Sequence, residues 1–277
     1  MTARTAQTAQ LLAEEPTHWV SPIAAREGGR ALARIPEALR LIKLHRPDVV
    51  ISTGAALAVP YLLASRLLGI RTHYIESATR LGGPSVTGRM MDRLPGMRLH
   101  HQGFQQPVTG WHAVSSVFDA YCPGPDIYRG LSRAFVTVGT EQFPFVRALD
   151  DVARSVPPST EVLYQTGHTP VPAARASYRQ WMPFDELVQA LEQADVVVTH
   201  AGVGSILTAL RAGKHPVVMP RLQRMGEHVD DHQTELAQML ELRGLVSVAW
   251  QGVELAPLLT SAASRTTIRV TSQSILL

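Results

Sequence analysis

The residues with the clearest potential for chemistry form a glycine-rich turn in the second half of the chain, Thr199-His-Ala-Gly-Val-Gly-Ser205. The β-branched run from Asp195 to Thr199 predicts a buried strand before it, and the residues from Ser205 to Ala212 predict a helix after it. Glycines let a backbone approach a ligand closely, and the first N–H groups of a helix carry partial positive charge. The turn is therefore a candidate phosphate site. A tight turn without any ligand fits the pattern equally well.

A second candidate is the loop from Met225 to Gln233, which is dense in Glu, His, Asp and Gln. It follows a predicted strand that ends at Met219, so we expect it on the same sheet edge as the glycine turn. Polar groups at this density are costly to bury without partners, which favours contacts to a hydroxyl-rich ligand. Two alternatives stay open: a solvated loop, and a metal site formed by His228, Asp231 and His232.

The elements that must position these residues alternate short β-branched runs with amphipathic helical stretches, which is typical of parallel α/β proteins. Two more strand ends of the same half, Val138 to Phe143 and Tyr164 to His168, add backbone N–H groups and hydroxyls to the predicted sheet edge. Either segment alone is typical of an ordinary turn.

The same plan occurs twice along the chain. A strand–glycine–helix–glycine–strand unit runs from Asp48 to Ile75, and a similar unit runs from Asp195 to Met219. Between the halves, the segment from Asp119 to Ser132 lacks apolar periodicity, so we interpret it as a linker. We therefore predict an α/β chain with two Rossmann-like domains, residues 1–125 and 133–277, that face each other across a cleft. In such sheets ligands lie beyond the C-terminal strand edges.

Composition narrows the class of protein. With 45% hydrophobic and 18% charged residues, the 277-residue chain suits a folded globular protein rather than a disordered one. Its formal net charge of +3, without runs of basic and aromatic residues, argues against nucleic acid as a partner. The single cysteine, Cys122, excludes an internal disulfide framework and a multi-cysteine metal site.

Two segments bear on the membrane. The N-terminal residues lack the apolar core of a signal peptide, so we expect a cytoplasmic protein. The segment from Val49 to Ser65 carries no charge, but Gly54 and Pro60 interrupt it. A strand, a turn and a helix fit this segment better than a membrane-spanning helix does.

Together, the motifs of the second half resemble the C-terminal domain of family 28 glycosyltransferases. The resemblance rests on His200-Ala-Gly-Val-Gly-Ser-Ile-Leu-Thr-Ala-Leu-Arg-Ala-Gly-Lys214, on Pro220, on Gly226-Glu-His-Val-Asp-Asp-His-Gln233 and on Phe135-Val-Thr-Val-Gly-Thr140. These segments look most like the catalytic subunit of the two-part N-acetylglucosaminyltransferase of lipid-linked oligosaccharide synthesis and its bacterial exopolysaccharide relatives. In the first half, Pro47 to Gly54, Tyr74 to Ser77 and Pro84 to Arg89 resemble the membrane-recruiting subunit of that enzyme.

The resemblance implies a GT-B fold and a metal-independent transfer of a sugar, GlcNAc or glucose, from a UDP-sugar to a lipid-linked or polysaccharide-precursor hydroxyl. It implies that two backbone turns flank the diphosphate, that Phe184 lies near the uracil, and that Asp231 and Gln233 hold sugar hydroxyls. Thr208 stands where single-chain relatives carry a ribose-binding acid. The full nucleotide-sugar set is Gly139, Thr140, Phe184, His200, Gly202, Val203, Gly204, Ser205, Thr208, Glu227, Asp231 and Gln233.

The acceptor side is assigned to the first half, with Thr53, Gly54, Glu76, Arg80 and Arg89. Glu76 is the first candidate for the catalytic base, and His112 and His200 follow it. Equally, Glu76 fits a purely structural pair with Arg80. The stretch from Thr87 to Arg98 combines arginines with methionines, which favours peripheral contact with an anionic membrane that carries a polyprenyl-phosphate acceptor. A helix packed on its own domain is the alternative.

One departure from the family pattern keeps other functions open. Family members begin with a strand and a Gly-Gly-His-type loop, and this sequence begins after it, so we expect a shortened N-terminal domain. A non-catalytic UDP-sugar-binding or scaffold subunit and a UDP-sugar epimerase are therefore alternatives to the transferase. An NAD-dependent oxidoreductase is disfavoured, because neither glycine turn has the full dinucleotide spacing.

Overall fold

The computed structural model describes residues 1–3, 8–9, 12–21, 28–54, 56–127, 130–171, 177–228 and 231–270. Its contacts divide the chain into two compact units, with the boundary between Val117 and Phe118. The second unit thus begins earlier than the predicted domain end at residue 125. None of the helices in these ranges is long and apolar enough to cross a bilayer.

The first unit contains a parallel sheet and helices that pack on it. Its elements are β1 (Thr2–Ala3), β2 (Trp19–Val20), α1 (Gly28–Ala33), α2 (Ile35–His45), β3 (Val49–Ser52), α3 (Ala58–Leu67), β4 (Arg71–Ile75), α4 (Val86–Asp92), β5 (Arg98–His101) and β6 (Trp111–Ala113). Strands β3 to β6 form the sheet in chain order, and β1 pairs in parallel with β2.

The segment from β3 to α3 confirms the predicted strand, turn and helix. Gly54 adopts a φ of +105° at the turn, a conformation that L side chains rarely adopt. Leu62 of α3 is fully buried and packs in one cluster with Tyr74 and Leu99 of the sheet. The apolar content of this segment is therefore part of the core between a helix and a parallel sheet.

The second unit is a six-stranded, all-parallel sheet with a separate strand pair. Its elements are β7 (Tyr121–Pro123), β8 (Arg133–Thr137), α5 (Val146–Ser155), β9 (Glu161–Gln165), β10 (Ser177–Arg179), α6 (Phe184–Gln193), β11 (Val196–His200), α7 (Val203–Arg211), β12 (Val217–Met219), α8 (His232–Leu242), β13 (Ser247–Val248), α9 (Leu255–Ser264) and β14 (Thr267–Arg269).

The predicted linker is partly structured, because β7 pairs with β14 in an antiparallel ladder. The register places Cys122 opposite Ile268. A three-residue strand has no periodicity that a sequence pattern can reveal, and its partner lies at the far end of the chain. Residues 121–123 therefore belong to the second unit.

The strand order of the large sheet is β10-β9-β8-β11-β12-β13. The chain moves outward from β8 to β10, returns to β11 beside β8, and then moves outward in the other direction. Helices α5 and α9 contribute to the core on one face and α6 and α7 to the core on the other. The order reverses between β8 and β11, and open parallel sheets bind ligands at the carboxyl ends of strands at such a reversal.

Candidate functional site

The predicted glycine turns meet at this reversal. Thr137, at the end of β8, is paired in register with Thr199 of β11. Gly139 and Gly202 therefore follow neighbouring strand ends. Gly139 has a φ of +75°, so it occupies the left-handed region that glycine favours. The two turns that the sequence assigned to one ligand are thus brought side by side.

Helix α7 begins at Val203, two residues before the predicted start at Ser205. Its first hydrogen bond joins the N–H of Ile206 to the carbonyl of Gly202 at 3.0 Å. The N–H groups of Val203, Gly204 and Ser205 therefore precede the helical ladder, and no described side chain caps them. A Cβ built on Gly204 would meet nothing within 4 Å, so the helix start faces open space. The later start was predicted because valine and glycine have low helix propensity. The prediction was wrong because propensity matters little in the first turn of a helix.

The imidazole of His200 lies between the two glycines. A Cβ at either Gly139 or Gly202 would overlap the ring. His200 is buried, and its Nδ1 has no hydrogen-bond partner among the described residues. Burial, and secondarily the charge of Arg221, lowers the pKa of His200 to about 3. A histidine with this pKa is neutral and a weak base, which argues against the predicted role of His200 as the catalytic base.

Arg221 is the largest fully buried side chain near the site, and the sequence analysis did not identify it. One Nη donates to the carbonyl of Phe143 at 2.6 Å and to that of Glu227 at 3.2 Å, and the other donates to Val138 at 2.8 Å. Burial lowers its pKa from the ordinary value. A charged residue directly after the buried β12–Pro220 segment was the available signal, since such a position is rarely charged without a partner.

Glu227, which the sequence places among the ligand-binding residues, is held by partners within the protein. Its carboxylate accepts hydrogen bonds from Arg147 Nε at 3.0 Å and Nη2 at 2.9 Å, and from the N–H of Leu222 at 3.0 Å. The side chain is 7% exposed. Both carboxylate oxygens are therefore committed to holding the loop after β12 against α5.

Gln233 and Thr208 are also used internally. The Oε1 atom of Gln233 accepts a hydrogen bond from the N–H of Arg221 at 3.1 Å, and the side chain is buried. The hydroxyl of Thr208 donates to the carbonyl of Gly204 at 2.7 Å within α7. Hydrogen-bonding side chains close to their own backbone commonly make such bonds. These internal hydrogen bonds use the groups of Gln233 and Thr208 that were predicted to contact the sugar and the ribose.

Asp231 remains accessible beside the polar loop. It is exposed, accepts a hydrogen bond from the N–H of Gln223 at 2.8 Å, and lines a pocket of about 310 Å³ together with Thr234 and Trp250. Val229 and Asp230 of this loop lie outside the described residues. The rings of His228 and His232 meet edge to face at 4.9 Å, and the described chain contains no group of three His, Cys, Asp or Glu residues that could hold a metal ion.

The remaining predicted residues of the second unit lie at the same strand edge. Thr140 is exposed in the loop after β8, and Phe184 is half-buried at the first residue of α6. In a parallel α/β sheet the helix that leads into a strand begins at the edge where the previous strand ends. A larger groove of about 780 Å³ opens elsewhere, beside α6 and the beginnings of β8 and β9. That groove does not include the glycine turns.

In the first unit, the side chain of Glu76 is held inside the protein by hydrogen bonds. The residue is 2% exposed. Its carboxylate accepts hydrogen bonds from Tyr74 Oη at 3.2 Å, Ser77 N at 3.0 Å and Ser85 N at 2.8 Å. Burial raises the pKa of Tyr74, so its phenol stays protonated and donates. A carboxylate with three donors anchors the start of α4.

The other residues assigned to the acceptor side are near the surface. Thr53 and Arg89 are exposed, and Arg80 is half-buried. The Nη1 of Arg89 donates to the carbonyl of Pro84 at 2.8 Å. His112 is exposed on β6. Among the base candidates, it is the one whose side chain the structure leaves accessible.

Residues 133–255 match the glycosyltransferase family 28 C-terminal domain. This segment is a family 28 domain. The match covers β8 to the first residue of α9, and therefore both glycine turns, Arg221 and the polar loop.

Two curated relatives and one solved structure extend the comparison. A UDP-N-acetylglucosamine–N-acetylmuramyl-(pentapeptide) pyrophosphoryl-undecaprenol N-acetylglucosamine transferase of Syntrophus aciditrophicus is 26% identical over 238 residues, covering 76% of this chain and 62% of the relative. The UDP-N-acetylglucosamine transferase subunit ALG13 of Yarrowia lipolytica is 46% identical over 56 residues, covering 20% of this chain and 26% of the relative. This chain thus spans less than two thirds of the length of these relatives.

The crystal structure of Acinetobacter baumannii MurG matches with a TM-score of 0.57 and 20% identity, over 91% of this chain and 76% of that one. At this identity the likeness concerns the fold alone. It confirms the predicted GT-B type of α/β fold around the family 28 domain.

Proposed function

We propose that this chain transfers a sugar, GlcNAc or glucose, from a UDP-sugar to a lipid-linked or polysaccharide-precursor hydroxyl. The observation that carries the proposal is the open start of α7 at the strand-order reversal, with the buried cation Arg221 hydrogen-bonded to the neighbouring loop after β8. Three N–H groups, a helix dipole and a nearby positive charge favour a diphosphate at this position. The names of both curated relatives specify UDP-N-acetylglucosamine transferases, which supports the same donor.

The chemistry follows from where charge develops. When the bond between the sugar and UDP breaks, negative charge grows on the departing diphosphate, and donors aimed at that charge lower the barrier. The N–H groups of Val203, Gly204 and Ser205 supply such donors without rearrangement. We propose that they take the place of a metal ion, so the reaction needs no metal cofactor. The sugar would occupy the pocket lined by Asp231 and Trp250.

The acceptor would meet the first unit. Exposed Val86, Arg89 and Met90 of α4, followed by exposed Arg93, form a basic and apolar surface. Such a surface suits peripheral contact with an anionic membrane at its cytoplasmic face. The relative from Syntrophus is named for a pyrophosphoryl-undecaprenol acceptor, which supports a lipid-linked substrate class. His112 is the base candidate for this step, since Glu76 and His200 are committed elsewhere.

The donor site is tested by calorimetric titration of UDP into the wild type, Gly204→Val and Thr260→Val. The valine at position 204 would fill the open space beside the helix N–H groups, so we expect at least tenfold weaker binding. Thr260 lies exposed on α9, and Thr260→Val should bind as the wild type does. The donor-site assignment is wrong if the wild type does not bind UDP or if Gly204→Val binds it normally.

A second assay separates the competing functions. UDP-GlcNAc is incubated with and without a polyprenyl-phosphate-linked acceptor, and both UDP and the glycan products are measured. Acceptor-dependent release of UDP with glycan extension supports the transferase. Conversion of the sugar nucleotide without acceptor would identify an epimerase instead, and binding without turnover would identify a non-catalytic subunit.

A further inference from the structure

Two arginines flank the ring of Phe145 at the start of α5. The guanidinium carbon of Arg221 lies 4.7 Å from the ring centroid, and that of Arg147 lies 5.1 Å from it. The two side chains therefore share one aromatic neighbour and a similar distance from the ring. Their partners differ, which makes them a natural comparison.

Arg147 is neutralised in place. Both oxygens of Glu227 accept hydrogen bonds from it, and its Nη2 also donates to the carbonyl of Pro220 at 2.9 Å. A bidentate arginine–carboxylate pair at this burial contributes no net charge to its surroundings.

Arg221 has no such counter-charge in contact. Its hydrogen bonds go to the carbonyl oxygens of Val138, Phe143 and Glu227, and its buried Nε has no partner among the described residues. The carboxylates that influence it most are Glu141, which is exposed, and Glu227, which is already paired. A fully buried guanidinium without a matched anion is costly, so an anionic ligand nearby would stabilise it.

The position of Arg221 connects it to the donor site. Through Val138 and Phe143 it ties down both ends of the loop that contains Gly139 and Thr140. It is also the charge that acts on His200, whose neutral ring separates the two glycine turns. The cation therefore holds one of the two glycine turns and lies close enough to His200 to act on the ring that separates them.

We propose that Arg221 is a positioning residue whose buried charge makes the donor site select a nucleoside diphosphate over the uncharged nucleoside. This inference rests on the proposed function and adds to it a residue and a basis for selectivity. Arg221 need not touch the ligand, since a charge in a low-dielectric interior is poorly screened.

The measured quantity is the ratio of UDP affinity to uridine affinity, obtained by calorimetry, with thermal unfolding recorded for each variant. We expect Arg221→Met to reduce this ratio at least tenfold while uridine affinity changes much less. Arg221→Lys should keep the ratio within threefold of the wild type and lower the unfolding temperature, because it retains the charge and loses the fork of hydrogen bonds.

The matched control is the double variant Arg147→Met/Glu227→Gln, which removes the neutral pair on the same ring. It should lose stability and keep the ratio within threefold. The inference is overturned if Arg221→Met folds and keeps the ratio, or if the control lowers the ratio equally. Should Arg221→Met fail to fold, Arg221→Lys decides: a ratio within threefold of the wild type supports the inference, and a tenfold lower ratio overturns it, because the charge would then not set the selectivity. A wild type that binds no UDP would overturn the proposed function itself.

Discussion

Gly139 leaves the space that the imidazole of His200 occupies, and a Cβ at position 139 would overlap that ring. The glycine also has a φ of +75°, which an L side chain rarely adopts. The turn after β8 can therefore lie against the ring of His200 because position 139 carries no side chain.

We predict that Gly139→Ala weakens both the fold and the donor site. Backbone strain and overlap with a buried ring together should lower the free energy of unfolding by about 2–4 kcal/mol. UDP binding should weaken at least tenfold, because the loop must shift. Urea unfolding and calorimetry check this, with Gly204→Ala as a control whose stability should stay within about 0.5 kcal/mol of the wild type or rise. Normal stability of Gly139→Ala would contradict the packing described here.

Glu76 is predicted to be a structural anchor. Glu76→Ala removes the acceptor of three hydrogen bonds from Tyr74, Ser77 and Ser85, which should destabilise the fold by about 2–4 kcal/mol. Glu76→Gln should cost about 1–3 kcal/mol, since its amide group brings donors toward donors. Thermal unfolding measures both. We expect Glu76→Gln to remain active with an unchanged pH profile. Loss of activity in a fully stable Glu76→Gln variant would instead support Glu76 as the catalytic base.

The Arg147–Glu227 pair should show strong coupling in a double-mutant cycle. Either Arg147→Met or Glu227→Gln alone leaves a buried charge without its partner, so each single variant should lose about 3–5 kcal/mol of stability. The double variant should lose less than the sum of the two single losses, with a coupling of about 1–3 kcal/mol. Urea denaturation gives the four free energies. Simple additivity would mean that the pair is solvated in solution.

Acid should destabilise the second unit through two buried histidines. Burial lowers the pKa of His200 to about 3 and the pKa of His215 to about 4, with Arg221 and Arg265 as secondary causes. The Nε2 of His215 lies 3.0 Å from Ser247 Oγ and 3.3 Å from Arg265 Nη1, so it is held as an acceptor. Both folded-state values lie below the value near 6.5 that is ordinary for an unfolded chain.

The folded state therefore binds fewer protons than the unfolded state in this range. The stability that these histidines contribute is complete above about pH 6.5 and is lost as the pH falls toward 4, by about 1.4 kcal/mol per pH unit for each histidine. Urea midpoints measured at pH 7.5, 6.0 and 5.0 should decline in that order. In His215→Gln the decline should be shallower, and a midpoint that does not change with pH would refute the assignment.

The surface of α4 is predicted to bind anionic membranes. Replacing the exposed Arg89 and Arg93 with glutamate reverses two charges, and each basic residue near such a surface contributes about 1 kcal/mol to binding. Co-sedimentation with vesicles of phosphatidylglycerol and phosphatidylcholine should fall more than tenfold for the double variant. Arg133→Glu, an exposed substitution in the second unit, is the control. Equal binding by all three proteins would exclude α4 as the membrane surface.

The sequence by itself determined the parallel α/β character, the positions of most strands and helices, and the glycine turns that follow β8 and β11. These features depend on local periodicity and on glycine, both of which can be read within a dozen residues. The resemblance to family 28 was also present in the motifs, and the match over residues 133–255 confirms it.

Only the tertiary structure decided which polar side chains face a ligand and which ones hold the protein together. Glu227 meets Arg147 across 80 residues of sequence, and Arg221 reaches Val138 across 83. The sequence pattern treats Glu76, Glu227 and Gln233 as ligand-binding because it cannot show where their partners lie. Hydrogen bonds are fixed by proximity in three dimensions, so the division between anchors and binding groups emerges only when the distant strands of the sheet come together.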